Sequence, residues 1–362
     1  MPATASAAAA ATRPTLDELI RPHLKGMRFY KSARGEFSGR ADVLLDANEN
    51  PYDGTGQGLN RYPDPAHREL RAAVAEAYDV PAESVFVGMG SSEALDLLMR
   101  LVGRPGRDRI VQLPPTFGIY AVDAGLNELD VLSVPLVGEG LQPDVDAVLA
   151  QAEPGRDRIL FLCTPNNPTG HDYERERVMR LVEGFPGLVV LDQAYVEFSG
   201  LPPYRQLFRE YPHVLTVETM SKAYGLAGSR VGLAFGDPAL IAWLNRVKPP
   251  YNVGAEAEAN ALAAVRERDG RVREEVTRVL AERKRLVAAF AKTGFWRRVY
   301  PTDANFVLVA HDDADAVYRY LITRGIIVRN QTARFGEGHL RVSVGTPAEN
   351  DRLLAALAEY TD

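Results

Sequence analysis

From Tyr62 onward the chain alternates short apolar runs with stretches of helical periodicity. The runs Ser84–Gly88, Arg109–Leu113, Leu129–Val134, Arg158–Cys163, Leu188–Asp192, Val214–Thr219 and Arg230–Phe235 are predicted as strands. Several are apolar at consecutive positions, the pattern of strands covered on both faces. Between them the spacing predicts helices over Ala66–Ala77, Ser92–Val102, Thr116–Ala124, Asp144–Gln151, Glu174–Glu183 and Ala239–Val247. This alternation implies an α/β fold, a mostly parallel sheet sandwiched by helices. Ligands in such folds sit beyond the carboxyl ends of the strands.

The pattern changes near Pro249-Pro250. A long Ala-, Arg- and Glu-rich helical stretch follows from Ala255 to about Thr293, interrupted around Asp269-Gly270. Beyond it, strands are expected at Asn305–Val309, Ile326–Val328 and Leu340–Val344, with helices at Ala314–Arg324 and Pro347–Thr361. That describes a smaller α+β domain. With 362 residues the chain exceeds the roughly 250–300 that one core supports, which also favours two domains. The expected division is an Ala-rich disordered extension (1–15), an N-terminal arm or small-domain segment (16–60), a large domain (61–254), and an interdomain helix with the small C-terminal domain (255–362).

Composition narrows the function classes. The proportions, 46% hydrophobic and 25% charged, are those of ordinary globular proteins. A net charge of −6 supplies no bulk basic field for nucleic acid or anionic membrane. The single cysteine, Cys163, cannot form an internal disulfide, which fits a reducing cytoplasm. No HxxxH or CxxC spacing marks a metal site, and no run of about 18 apolar residues marks a membrane span. Of 42 basic residues only six are lysines, so a lysine in a structured segment stands out.

Four segments carry candidate chemistry. Lys222 follows a strand end within Met220–Arg230, flanked by Thr219, Ser221 and Arg230. Near other cations or in a dry site a lysine loses its proton and becomes a nucleophile for aldehydes, while hydroxyls and a guanidinium suit a phosphate. Taken alone, Ser-Lys is an ordinary surface turn. Asp192 ends a buried strand, with Tyr195 three residues on. A carboxylate there can hold a protonated ring nitrogen, although Asp is also a common helix cap. Asn166 and Asn167 lie in a proline-bounded turn, TPNNPTG, after Cys163. Gly88–Glu93 puts Ser91 and Ser92 at a strand-to-helix junction, an anion site. As a dinucleotide fingerprint it fails, because Glu93 replaces the third glycine and no acid ends the next strand. In this order, phosphate cradle, Asn-Pro, Asp with Tyr, Ser-Lys and then Arg match one cofactor, pyridoxal 5′-phosphate.

The same order resembles the fold-type I pyridoxal-phosphate aminotransferases, and among them the histidinol-phosphate aminotransferase family. The likeness runs from about Tyr30 to the C-terminus. It rests on FYKSAR (29–34), LDANENP (45–51), RYPDP (61–65), PPTFGIY (114–120), PNNPTG (165–170), SKAYGLAGSR (221–230), KPPYNV (248–253), ANFVLV (304–309), GIIVRNQ (325–331) and LRVSVGT (340–346). The resemblance implies that Lys222 bonds the cofactor aldehyde and moves the substrate Cα proton. It implies that Asp192 pairs with the pyridinium nitrogen, that Tyr195 and Asn167 bond the phenolic oxygen, and that Phe117 stacks on the ring. Ser91, Ser92, Thr219, Ser221 and Arg230 would hold the cofactor phosphate. Tyr62 would reach the phosphate of the neighbouring subunit's cofactor, making a homodimer the active form. Tyr30, Asn48, Arg329 and Arg341 would surround the substrate.

The implied reaction converts L-histidinol phosphate and 2-oxoglutarate to imidazole acetol phosphate and L-glutamate, in cytoplasmic histidine biosynthesis. One site must then accept a phosphate in one half-reaction and carboxylates in the other, which guanidinium forks do better than ammonium groups. An aromatic amino acid aminotransferase and a threonine-phosphate decarboxylase share the active-site plan and stay open here; a nicotinamide oxidoreductase and a non-catalytic module are the readings of other classes. One departure is Gln193, where the family commonly has Glu; with Asp192 and Tyr195 kept, only a local change in charge is expected.

Overall fold

The computed structural model describes residues 14–30, 32, 34 and 41–360. Residues 1–13, most of the expected extension, lie outside the described residues; Thr15, at its end, caps the helical turn Leu16–Leu19. The central sheet has seven strands: β1 Val85–Gly88, β2 Arg109–Gln112, β3 Asp130–Ser133, β4 Asp157–Cys163, β5 Leu188–Asp192, β6 Val214–Thr219 and β7 Gly232–Gly236, in the order β1-β7-β6-β5-β4-β2-β3. Neighbours from β6 to β3 are parallel, and β7 runs antiparallel to both β1 and β6.

The apolar runs form central strands because both faces are covered. In β4, Ile159, Phe161 and Cys163 join one hydrophobic cluster while Leu160 and Leu162 join another. In β5, Val190 goes to the first and Val189 and Leu191 to the second, the period of two along a strand. Helices α2 (Ser91–Val102), α3 (Ile119–Leu126) and α6 (Pro238–Val247) cover the first face, joined by Leu19, Ile20 and Leu24 from the N-terminal arm. Helices α4 (Val145–Gln151) and α5 (Arg175–Gly184) cover the second. A third cluster gathers α1 (Arg68–Tyr78) and α7 (Ala255–Arg266) against β1 and β7.

Two elements near the site differ from the sequence reading. The helix expected from Thr116 begins at Ile119; Thr116 instead bonds Asn166 through its hydroxyl at 3.0 Å and stays in the loop. Phe117 therefore stands on a loop. The strand expected from Arg230 begins at Gly232, with Arg230 itself in the left-handed region at φ 57.

The smaller sheet is antiparallel, ordered β10-β11-β9-β8, with β8 Arg298–Val299, β9 Phe306–Ala310, β10 Arg329–Asn330 and β11 His339–Ser343. Helices α8 (Arg273–Lys292), α9 (Ala314–Thr323) and α11 (Pro347–Ala358) pack on it, and the four-residue α10 (Thr332–Phe335) follows β10. The expected strand Ile326–Val328 is shifted to Arg329–Asn330. Ile326 closes the end of α9 by donating to Leu321 O at 2.9 Å, so pairing begins only past Val328. In the helical stretch 255–292, Ala261, Ala264 and Val265 pack with the large domain, whereas Leu286 and Phe290 pack with the small one.

Candidate active site

The parallel register aligns the ends of β4, β5 and β6: Cys163 is level with Asp192, and Asp192 with Val217. Antiparallel pairing then sets Thr219 against Gly232 and Gly232 against Gly88. Five chain segments therefore turn at one edge of the sheet. They surround a cavity of about 410 Å³ lined by Ser91, Ser92, Phe117, Asn167, Asp192, Tyr195, Thr219, Ser221, Lys222, Arg230, Arg329 and Arg341. Twelve sequence-predicted residues thus meet in one place.

Lys222 sits in the turn after β6. Ser221 N donates to Thr219 Oγ1 at 3.1 Å, Leu226 N to Met220 O at 3.0 Å, and Gly225 takes the positive φ of 67 that closes the turn. Burial lowers the Lys222 pKa, and Arg341 and Arg230 lower it further, against a weaker opposite pull from Asp192. The amine is thus biased towards its uncharged, nucleophilic form.

Behind it, Asp192 is buried and accepts Tyr120 Oη at 2.6 Å and Ala194 N at 3.2 Å. Burial raises its pKa, with Tyr120, Ala194 and then Lys222 opposing. Among the described residues no cation forms an ion pair with it, so a ligand bearing a protonated ring nitrogen would supply the missing charge. Tyr195 lies over the same space, its ring 5.8 Å from Lys222 Nζ. Burial pushes its phenol pKa up, so it stays protonated and can donate.

The two asparagines divide their work. Asn166 is fully buried, donating to Pro115 O at 2.9 Å and Thr169 Oγ1 at 2.8 Å, and holds the 114–118 loop against the turn after β4. Asn167 faces the cavity and accepts from Arg341. Gln193 points elsewhere: its Oε1 accepts Tyr204 N at 2.7 Å, a buried bond made without burying a charge.

The anion cradle is built from α2 and the turn before β7. Gly90 caps α2 at φ 77, and a Cβ there would come within 2.7 Å of Arg230 Nη2. A Cβ on Gly232 would overlap Ser91 N, so only glycine lets the helix N-terminus approach β7. Arg230 Nη1 also donates to Ser221 Oγ at 3.2 Å. Free N–H groups of α2, the Ser91, Ser92 and Ser221 hydroxyls and a guanidinium suit a phosphate. The KPPYNV segment braces this corner. Lys248 Nζ donates to Asn252 Oδ1 at 2.6 Å and Pro65 O at 2.9 Å, and Asn252 Nδ2 donates to Glu93 Oε2 at 2.7 Å. Glu93 Oε2 in turn accepts Met89 N at 2.6 Å. Burial pushes the Lys248 pKa down to about 8, with Glu93, Asp64 and Glu258 opposing.

The small domain contributes a cluster of cations. Strand pairing puts Arg329 directly opposite Arg341. Like charges so placed repel, yet among the described residues neither forms an ion pair with a carboxylate. Arg341 Nε is buried without a partner. Burial lowers the Arg341 pKa, as do Arg329 and Arg334. An anionic ligand would relieve both the repulsion and the unmet donor.

Three predicted residues lie outside the cavity in the single chain. Tyr62 stacks on Tyr251, ring centroids 4.4 Å apart, beside Asn48 in a second cavity of about 610 Å³. Its backbone N donates to Glu49 Oε1 at 2.7 Å, and Glu49 also pairs with Arg34 and Arg61. Tyr30 is 75% exposed and borders a third cavity of about 810 Å³. Conversely, the sequence reading missed Tyr120, Gln331 and Arg334. Tyr120 lies in the PPTFGIY segment, and its partner Asp192 is 72 residues away, a pairing only the fold makes. Among the described residues no cluster could hold a metal ion, and no helix is long and apolar enough to cross a membrane.

The donor set fits pyridoxal 5′-phosphate: an amine of lowered basicity, a buried carboxylate without a cation, and an anion cradle at one sheet edge. Comparison with known proteins agrees. The profile of aminotransferase class I and II matches residues 34–357. The histidinol-phosphate aminotransferase of Cytophaga hutchinsonii is 41% identical over 351 residues, 96% of this chain and 99% of that protein. That of Parabacteroides distasonis is 40% identical over 343 residues, covering 94% and 98%. The structure of Sinorhizobium meliloti histidinol-phosphate aminotransferase in complex with pyridoxal 5′-phosphate superposes with a TM-score of 0.75 at 26% identity, covering 84% of each chain. The lysine turn and the phosphate corner thus sit in a fold already known to carry this cofactor, and the chain belongs to the class I and II aminotransferases, the pyridoxal-phosphate-dependent transaminases.

Proposed function

We propose that this enzyme transfers the amino group of L-histidinol phosphate to 2-oxoglutarate, giving imidazole acetol phosphate and L-glutamate. The observation that carries the substrate reading is the pair of guanidiniums, Arg329 and Arg341, set side by side at the cavity without carboxylates. The name shared by relatives at about 40% identity over nearly the whole chain supports it. When bound, pyridoxal 5′-phosphate supplies an aldehyde that receives the amino group and a ring that draws in electrons from the substrate Cα. With the cofactor bound, Lys222 would be the amine that holds its aldehyde end and the base that would take the substrate Cα proton. Asp192 would keep the ring nitrogen protonated, and Tyr195 and Asn167 would hydrogen-bond the ring oxygen. Ser91, Ser92, Thr219, Ser221 and Arg230 would hold the phosphate, and Phe117 would cover the ring. Arg329 and Arg341 hold the far anionic end of the substrate.

The positions of Tyr62, Asn48 and Tyr30 support a homodimer. All three are polar or aromatic groups away from the Lys222 cavity, and Tyr62 is half exposed. In the dimer Tyr62 extends to the cofactor phosphate of the other subunit. A free, buried Cys163 accords with a cytoplasmic enzyme.

The test is an absorbance spectrum of the holoenzyme. Adding L-histidinol phosphate should bleach the visible cofactor band, and 2-oxoglutarate should restore it. A band that responds to phenylalanine or tyrosine and not to L-histidinol phosphate would make this an aromatic aminotransferase instead.

A further inference from the structure

A third arginine borders the same end of the cavity. Arg334 sits on α10 and lines the cavity with Arg329, Arg341 and Gln331. Its guanidinium is held across the domain boundary: Nη1 donates to Thr116 O at 3.0 Å, beside the loop that carries Phe117. The approach is close: a Cβ on Gly118 would meet the guanidinium. One of its five donors is thus used within the chain. Among the described residues no carboxylate forms an ion pair with Arg334. Burial lowers its pKa, and so does Arg329.

Three unneutralised guanidiniums exceed what a single carboxylate requires. One fork satisfies a carboxylate bidentately, and two already overcompensate its single charge. A phosphate monoester carries about 1.5–2 negative charges near neutral pH and three acceptor oxygens. We propose that Arg334 is a specificity-determining residue that, with Arg329 and Arg341, makes the substrate end of this cavity prefer a phosphate dianion to a carboxylate. The inference rests on the reading of this end as the seat of the substrate's anionic group. The rival role for Arg334 is a strut between domains, which would act on every substrate alike.

The two roles separate in a pair of measurements on the holoenzyme and its Arg334→Gln and Arg334→Lys variants. Calorimetric titration uses phenyl phosphate and phenylacetate, a monoanion, neither of which has an amine or ketone to react. Arg334→Gln should weaken phenyl phosphate by about tenfold, the loss expected for one charge-assisted bond, and phenylacetate by less than about twofold. Arg334→Lys should fall between, keeping the charge without the fork. In steady state, KM for L-histidinol phosphate should rise by a similar factor. Equal losses for both ligands, or none for phenyl phosphate, overturn the proposal. A wild-type enzyme that ignores L-histidinol phosphate but binds phenyl phosphate through Arg334 would refute the proposed substrate and leave the specificity role standing.

Discussion

At the scale of single residues, burial sets the chemistry. Lys222 is displaced from the ordinary lysine value of 10.5 by burial, Arg341 and Arg230. More of it is uncharged at any given pH than for a solvated lysine. The rate at which apoenzyme takes up pyridoxal 5′-phosphate should therefore rise with pH to a midpoint below 10.5, and Arg341→Leu should move that midpoint upward. Growth of the visible band against pH measures it; an unmoved midpoint would remove Arg341 as a cause. Lys222→Ala should keep the native circular dichroism but lose turnover by at least about 10⁴-fold, since one group serves as both nucleophile and proton carrier. Asp192 works in the opposite sense. Its pKa is raised in the fold, so its contribution to apoenzyme stability is present at low pH and lost as pH rises through the raised value. Asp192→Asn removes that loss. At neutral pH the apo variant should melt no lower than apo wild type, while its holoenzyme turns over at least about 10²-fold more slowly. Thermal melts of both forms decide the first half, and initial rates the second.

At the scale of elements, legibility followed how local the determining forces are. Leu188–Asp192 and Val214–Thr219 were readable to the residue, because short runs rich in Val, Leu and Thr between turn signals favour a central strand. The start of α3 was not, because Thr116 is claimed by Asn166, 50 residues away. The shift of β10 was equally hidden, since a two-residue pairing with β11 depends on where α9 releases the chain. The phosphate corner depends on one close approach. Gly232→Ala would drive a methyl into Ser91 N and push the α2 N-terminus away. That overpacking should cost about 1–3 kcal/mol and also weaken cofactor binding. A melt of the apo variant and a titration with pyridoxal 5′-phosphate separate the two effects; unchanged affinity would mean that α2 does not carry the phosphate.

At the scale of the whole molecule, the question is what completes the cavity. If Tyr62 serves the neighbouring site, Tyr62→Ala and Lys222→Ala are each impaired for a different reason. A hybrid dimer of the two should contain one intact site, with Lys222 from the first chain and Tyr62 from the second. Mixing the two variants under exchange conditions should restore activity well above their sum; no gain would place Tyr62 in its own subunit's site or in none. Two domains also meet here, since Arg341 and Arg334 reach from the small sheet and α10 to Asn167 and Thr116 of the large domain. By itself the sequence determined the alternation of strands and helices, the placement of Lys222, Asp192 and the serines at strand ends, and the family. Those follow from periodicity and from motifs a few residues long, which local chemistry encodes. Only the tertiary structure decided that Asn166 ties the 114–118 loop to the turn after β4, that Tyr120 holds Asp192, and that Arg334 joins Arg329 and Arg341. Each depends on side chains brought together across 50 to 218 residues of chain by sheet register and domain packing, and nothing in the local sequence encodes that distance.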